Sequence, residues 1–318
     1  MRLWDDDVEA MRAEAREAVS AGFDSVKELI GAPETFPEDP VERAELARAQ
    51  FARVYVPLPD AIDRVIAGVP CRLFLPDGPP SAIYLHFHGG GMILGAPVMN
   101  DLGNADLAKR FALAVVSVDY RLAPEHPHPA GPDDCLAVAA WLLEHGADEL
   151  GASRLVIGGE SAGGYLAALV PLRIRDELDA IDHVAGLNLV FGVYDWGRSP
   201  SQRGRRPHDG PDVLDPAGIE FFTGAYLPGR TDDERRDPAI SPLYADLHGM
   251  PPAMMSVGTC DHLVDDTLML AARWAAAGNE LELFVAPDMP HGFMAYPCSL
   301  TDLWLARTHA WFAGVLGR

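Results

Sequence analysis

The strongest constraint on how this chain folds is an alternation along it. Short, almost wholly apolar runs at 82–87, 114–118, 155–157, 187–193, 253–257 and 281–285 are separated by segments of helical spacing. Those segments lie at 101–111, 133–145, 162–178 and 265–277, with a last one at 300–316. A strand that is apolar on both faces has to be covered on both, so the chain is expected to form an α/β fold around a mainly parallel sheet. Runs at 54–56, 61–66 and 71–75 come first, bounded by Pro, Asp and Gly and with no helix between them. They read as strands of an antiparallel edge.

Two regions fall outside this alternation. Residues 5–30 form an amphipathic helical pattern through Val8, Met11, Ala15, Ala18 and Val19, and a second helix is expected at 41–49 after Pro33, Pro37 and Pro40. Two helices cannot enclose a core by themselves and must pack on something else. The other region is 196–237, which is rich in Arg and holds Pro200, Pro207, Pro211, Pro216 and Pro228, with a short aromatic helix expected around Phe221 and Phe222. An insertion of ~40 residues in such a fold is usually functional or a small subdomain. Outside that insertion, Pro171 is expected to kink the 162–178 helix. At 318 residues the chain fits one catalytic domain with an accessory part.

Composition narrows the partners. A formal net charge of −22 repels phosphate backbones and anionic lipid surfaces, so neither nucleic acid nor membrane is an expected partner. No run approaches the ~18 apolar residues of a membrane span, and the first residues lack a basic segment followed by an apolar one, so a cytoplasmic protein is expected. Cys71, Cys135, Cys260 and Cys298 form no C-x-x-C pair and read as reduced thiols. His86 and His88 have no third ligand beside them, so no metal or other cofactor is expected.

The chemistry is carried by Gly159-Glu160-Ser161-Ala162-Gly163-Gly164, a G-x-S-x-G motif that follows an apolar strand and opens a helix. A turn that sharp strains Ser161 and needs the glycines where strand and helix approach. It lifts the serine hydroxyl above the strand ends, next to the free N–H groups of a helix start. His88-Gly89-Gly90-Gly91 follows the 82–87 strand, and its backbone N–H groups are suited to an oxyanion. Gly89 and Gly90, with Ala162, are the expected donors. A serine nucleophile needs a base, and the base an orienting acid. In this order and fold, the acid and base come from loops after later strands. Asp261 follows the 253–257 strand and His291 the 281–285 strand. Asp265 and Asp266 compete with Asp261 but are expected to begin the next helix and stabilise its N-terminus. His262 is badly placed beside the acid, and His309 belongs to the last helix.

Taken together, these pieces resemble the hormone-sensitive-lipase-like esterases, the bacterial family IV carboxylesterases of the α/β-hydrolase superfamily. Asp119-Tyr120-Arg121-Leu122-Ala123-Pro124-Glu125, Ser241-Pro242-Leu243, Asp261-His262-Leu263-Val264-Asp265 and His291-Gly292-Phe293 add to the resemblance. It implies an eight-stranded, mostly parallel sheet flanked by helices. It also implies a helical cap from 1–50 and 195–240 over a core of 51–194 and 241–318. Cofactor-free hydrolysis of short- to medium-chain esters follows from it, as does a homodimer through the final strand and helix. His262 stands where the family often has Pro, and Glu160 where relatives also carry Asp. An amidase or a deacetylase of a small natural product would use the same motifs. A non-catalytic ligand-binding member would have no need of Ser161, Asp261 and His291 together.

Overall fold

The computed structural model describes residues 3–30, 37–204 and 214–318. Its strands are β1 (Ile62–Ile66), β2 (Val69–Phe74), β3 (Ala82–Phe87), β4 (Leu113–Val118), β5 (Leu155–Glu160), β6 (Val184–Val190), β7 (Ala253–Gly258) and β8 (Leu281–Ala286). They form one eight-stranded sheet in the order β1-β2-β4-β3-β5-β6-β7-β8. β2 runs antiparallel to both β1 and β4, and every other pairing is parallel. This is the α/β-hydrolase fold, with the antiparallel edge where the sequence places it.

Every residue of β3, β4 and β7 is buried, which is why these strands are apolar without alternation. Leu85, Val116, Ile157, Leu187 and Met255 point to one face, and Tyr84, Val115, Val156 and Met254 to the other. The first face is covered by α5 (Ala130–Leu150), α6 (Ala162–Leu178) and α10 (Val264–Ala276); the second by α4 (Asp101–Phe111) and α11 (Ser299–Val315). Helix ends follow local chemistry. Ala112, Gly151 and Asp179 close α4, α5 and α6 in the left-handed conformation.

The N-terminal region divides into α1 (Asp6–Ala10), α2 (Arg12–Ile30) and α3 (Pro40–Phe51). The single helical pattern at 5–30 is interrupted at Met11, whose N–H turns back to Glu9 and Val8. Asp39 caps α3 by accepting from Val41 and Glu42 N–H, and Pro40 takes the first helical position. Val8, Ala15 and Val19 are buried in one cluster with Tyr296, Leu300, Trp311 and Phe312. The inserted region contributes α7 (Pro200–Arg203), α8 (Pro216–Tyr226) and α9 (Asp232–Arg235). Its Pro207 and Pro211 lie outside the described residues.

Three expectations need correction. Residues 54–56 form no strand: a 3-10 turn, Ala52–Val54, ends there, and Pro57 and Pro59 deny the following backbone two ladder donors. The run at 187–193 is displaced, since β6 begins at Val184 and stops at Val190. Asp265 and Asp266 do lie in the first turn of α10, but their carboxylates bond across space rather than to that helix. Asp265 takes the N–H of Ser201, and Asp266 takes the N–H groups of Tyr194 and Asp195, the hydroxyl of Ser199 and the amide of Gln202. Those four partners of Asp266 are what pull the chain out of β6 and into the inserted region. Helix α6 runs as one element through Pro171.

Asp266 is fully buried, and burial pushes its carboxyl up to about 7 against the pull of Ser199, Gln202, Asp195 and Tyr194. The folded protein therefore holds this proton at higher pH than the unfolded chain, whose ordinary value is 3.8. The stability it contributes is complete below that value, declines as pH rises towards about 7, and is level above. Thermal stability of the wild type relative to Asp266→Asn should fall between pH 4 and about 7, and a parallel pair of curves would contradict it. Asp266→Ala should cost several kcal/mol, at about 1–3 kcal/mol for each donor left unpaired.

Candidate active site

The site is assembled at the carboxyl ends of β3, β5, β7 and β8, the edge where ligands bind in open parallel sheets. Ser161 stands between β5 and α6 with φ +58° and ψ −116°, a conformation that costs a non-glycine residue about 1–3 kcal/mol. The neighbours make it possible. A Cβ on Gly163 would overlap the Phe87 carbonyl oxygen, and one on Gly159 would overlap the same oxygen, so only glycine lets the start of α6 come this close to the end of β3. The Ser161 N–H donates to the Val190 carbonyl at 2.9 Å, and its carbonyl accepts from Tyr165 at 3.0 Å.

The side chains singled out in the sequence come together in a line. Ser161 Oγ lies 2.9 Å from His291 Nε2, and His291 Nδ1 lies 2.7 Å from Asp261 Oδ2. An ionised carboxylate only accepts, so Nδ1 carries the proton and donates it, leaving the Nε2 lone pair to accept from the serine hydroxyl. Asp261 is fully buried, and its other oxygen takes the Leu263 N–H at 2.8 Å. The acid loop is stitched to the His291 loop by Thr259 N–H to Ala286 and Cys260 N–H to Met289, both at 2.9 Å. Asp265 faces Ser201, and His262 Nδ1–H donates to the Ser201 carbonyl at 3.0 Å, so neither competes for His291. His309, on α11, lies 3.5 Å from Asp106.

The glycine turn after β3 packs against this line. A Cβ on Gly89 would stand 3.5 Å from Ser161 Cβ. Gly90 (φ +118°) accepts from the N–H groups of Ile93 and Leu94, which close the turn, and Gly91 has φ +63°. Among the described residues, no acceptor takes the N–H of Gly89, Gly90 or Ala162. His88 is buried, which pushes it down to about 3. It is therefore neutral, donates from Nδ1 to the Gly89 carbonyl at 2.8 Å, and stacks on Tyr120. His86 instead bonds Ser117 at 2.8 Å and Glu160 at 3.1 Å, and Glu160 also accepts from Asn100.

A family model described as the alpha/beta hydrolase fold matches residues 84–295. The chain belongs to that family. Carboxylesterase NlhH of Mycobacterium tuberculosis is 35% identical over 275 residues, covering 79% of this chain and 82% of that protein. Ethyl acetate hydrolase of Pseudomonas putida is 32% identical, covering 71% of each. A solved hormone-sensitive lipase from a metagenome library matches with a TM-score of 0.76 at 30% identity, covering 96% of this chain and 98% of that one. Within the α/β hydrolases the chain thus sits in the hormone-sensitive-lipase-like, carboxylesterase branch. Its His262, where that branch often has Pro, supplies a ring N–H that ties the acid loop to α7.

Of the other residues of this hydrolase that border the site, Phe221 and Phe222 were marked in the sequence as a short aromatic helix, whereas Arg12, Arg16, Arg43, Arg48 and Asp288 had no sequence signal. Arg48 of α3 donates from Nε to the Ile93 carbonyl at 2.7 Å and from Nη2 to the Ala123 carbonyl at 2.8 Å, and forms a two-pronged pair with Glu125. It fastens α3 to the glycine turn. Phe222 of α8 covers Gly91, where a Cβ would stand 2.6 Å from the ring, and Arg43 of α3 lies 3.9 Å over the neighbouring Phe221. On the other side, Arg12 and Arg16 of α2 reach Asp288 in the His291 loop at 2.9 and 2.8 Å. Burial lifts the Asp288 carboxyl, but the two guanidiniums outweigh it and hold it below its usual value.

Asp261→Asn should leave His291 in place but reverse its tautomer, since an amide can donate to Nδ1. The comparable change in a serine protease lowers turnover about 10⁴-fold, and a loss of that order is expected here. Asp265→Asn should cost less than about tenfold, because its partner is a cap backbone N–H. Steady-state rates of the two variants decide it, and a larger loss for Asp265→Asn would overturn the reading of the loop.

Proposed function

We propose that this chain hydrolyses short- to medium-chain carboxylic esters through an acyl-enzyme on Ser161, with His291 as base and Asp261 as its orienting acid. The observation that carries this is the Ser161–His291–Asp261 line at 2.9 and 2.7 Å, lying against a glycine turn with unclaimed N–H groups. Ser161 Oγ attacks the ester carbonyl while His291 Nε2 takes its proton. The carbonyl oxygen, now negative, is met by the N–H groups of Gly89, Gly90 and Ala162, each worth roughly 3–4 kcal/mol to the transition state. The imidazolium returns the proton to the departing alcohol, and the same steps with water release the acid. No residue needs a cofactor for this sequence.

The cap belongs to the same reading. A cap from 1–50 and 195–240 is supported by their described elements: α3 and α8 meet the glycine turn through Arg48 and Phe222, and α2 meets the His291 loop through Arg12 and Arg16. Such a cover excludes water and bounds the acyl pocket. It is held by charge as well as packing, since Asp232 collects Arg198, Arg203 and Arg235. A two-fold dimer through β8 and α11 is part of this proposal, supported by β8 lying at an edge of the sheet. No helix among the described residues is long and apolar enough to cross a membrane, and the four cysteines, none of them joined in a disulfide, suit a reducing, cytoplasmic setting.

Ser161→Ala should abolish hydrolysis of 4-nitrophenyl butyrate and covalent labelling by an organophosphonate while leaving the melting temperature within a few degrees. More than a few per cent of residual turnover would remove Ser161 from its role. Comparing an ester with its isosteric amide separates esterase from amidase: the ester is expected to be the faster substrate by orders of magnitude.

Phe222→Ala should open the space beside Gly91 and shift preference towards longer acyl chains, read as kcat/KM across a graded ester series. An unchanged profile would mean that α8 does not bound the acyl pocket.

A further inference from the structure

His291 is held at both ring nitrogens, but two hydrogen bonds along one axis leave the imidazole free to turn about that axis. What fixes its plane is what lies against the ring. Phe191 lies there, with ring centroids 4.7 Å apart and planes at 61°. Phe191 is the first residue after β6, is 3% exposed and has φ +36°, a left-handed conformation that a bulky aromatic residue rarely adopts. An observed outlier of this kind beside a reacting group points to a role there.

The conformation is held from several sides. The Phe191 N–H donates to the Ser256 carbonyl at 2.7 Å, and the preceding residue, Val190, accepts the N–H of Ser161. Phe293, two residues beyond His291, meets the Phe191 ring edge-on at 5.6 Å, and Trp304 meets Phe293 in the same way at 5.3 Å. Trp304 Nε1–H donates to Ser256 Oγ at 3.0 Å, which returns to the residue that holds Phe191. The brace behind the imidazole is therefore closed on itself and joined to the backbone of Ser161.

We propose that Phe191 is a positioning residue for His291, keeping the imidazole plane aligned so that Nε2 faces Ser161 Oγ and then the leaving oxygen. The proposal rests on the ester-hydrolase reading. It makes a distinction between leaving groups. As the C–O bond of an alkyl ester breaks, the alkoxide takes the proton that His291 received from Ser161, so a tilted ring delays departure. A 4-nitrophenolate leaves as a stable anion and needs no proton. Loss of alignment weakens the general-base step on both esters but should weigh far more on the alkyl ester, which also needs the proton returned, whereas a general loss of packing would lower both rates equally.

The test compares ethyl butyrate with 4-nitrophenyl butyrate in Phe191→Leu and Phe191→Met, so that one variant serves if the other fails to fold. Active sites are counted by organophosphonate titration. The expected result is a fall in kcat/KM, which reports acylation, of about thirtyfold or more for the ethyl ester and a fall at least about fivefold smaller for the nitrophenyl ester. Phe191→Tyr, which keeps the ring, should recover most of the ethyl ester rate. Independently of turnover, the low-field proton resonance of His291 Nδ1–H should broaden in the Leu and Met variants as the ring gains freedom. Equal losses on both esters with an unchanged Nδ1–H line would overturn the role of Phe191. A wild type inert to both esters, with the line still broadened in the variants, would instead overturn the ester reading and retain Phe191.

Discussion

The catalytic end of this molecule depends on one close approach, that of the start of α6 to the end of β3. Gly159 and Gly163 permit it because a Cβ on either would overlap the Phe87 carbonyl. From that contact the rest follows in order. Ser161 is forced to φ +58° and its hydroxyl stands clear of the sheet. The Gly89–Gly91 turn, which continues β3, is brought against Ser161, so nucleophile and backbone donors share one space. The helix end and the glycine turn would each be an ordinary local feature if they lay farther apart. On the proposed reading, their value for stabilising an oxyanion comes from convergence on one point.

A second dependence is the use of buried carboxylates at the start of α10. Asp261 and Asp266 are both fully buried, yet they serve different parts of the molecule. Asp261 orients His291 from below. Asp266 gathers four donors from the chain leaving β6, and Asp265 a fifth from α7, so the root of the inserted region hangs on the same turn that carries the acid. Displacing the inserted region would strain that turn. The His291 loop is held from outside by Arg12 and Arg16 on Asp288, so one loop is tied to the inserted region and the other to α2.

The parts legible in the sequence were those with a local or periodic signature. Apolar runs marked β3 to β7 because nearly all their residues are buried on both faces, and β8 through its buried second half, while the glycines around Ser161 and after His88 marked turns that no other residue can make. Asp261 and His291 could be located because loop position after a strand is itself a sequence feature. What was illegible depends on partners far apart in the chain. Nothing at Arg48 announces that its guanidinium will meet Ile93, Ala123 and Glu125. Phe191 reads as one more apolar residue of a strand, and only the turn away from β7's register after Val190 sets it against His291. Residues 54–56 misled in the opposite way. Their β-branched and aromatic side chains suit a strand, but a strand also needs donors and a partner, and the following prolines remove the first.

The distribution of backbone strain ties these observations together. Among the described residues, eight non-glycine residues have positive φ. Ala67 belongs to the β1–β2 turn, Ala112 and Asp179 end helices, where such a conformation is ordinary, and Arg198 lies in the inserted region. Met92, Ser161, Phe191 and Asp288 are different, since they occupy the loops that follow β3, β5, β6 and β8. Each is fixed by a bond to a neighbouring strand or loop: Ala123 N–H to Met92, Ser161 N–H to Val190 at the end of β6, Phe191 N–H to Ser256 in β7 and Asp288 N–H to Thr259. No single loop could hold such a conformation at a cost of about 1–3 kcal/mol per residue. The sheet can, because its strand ends bring the loops within reach of one another and its wholly buried strands supply the stability that the strain consumes. The same cross-bonds then set the distances among Ser161, His291 and the glycine turn, so on the proposed reading the strain is the local cost of a site whose parts are already in place before the substrate arrives.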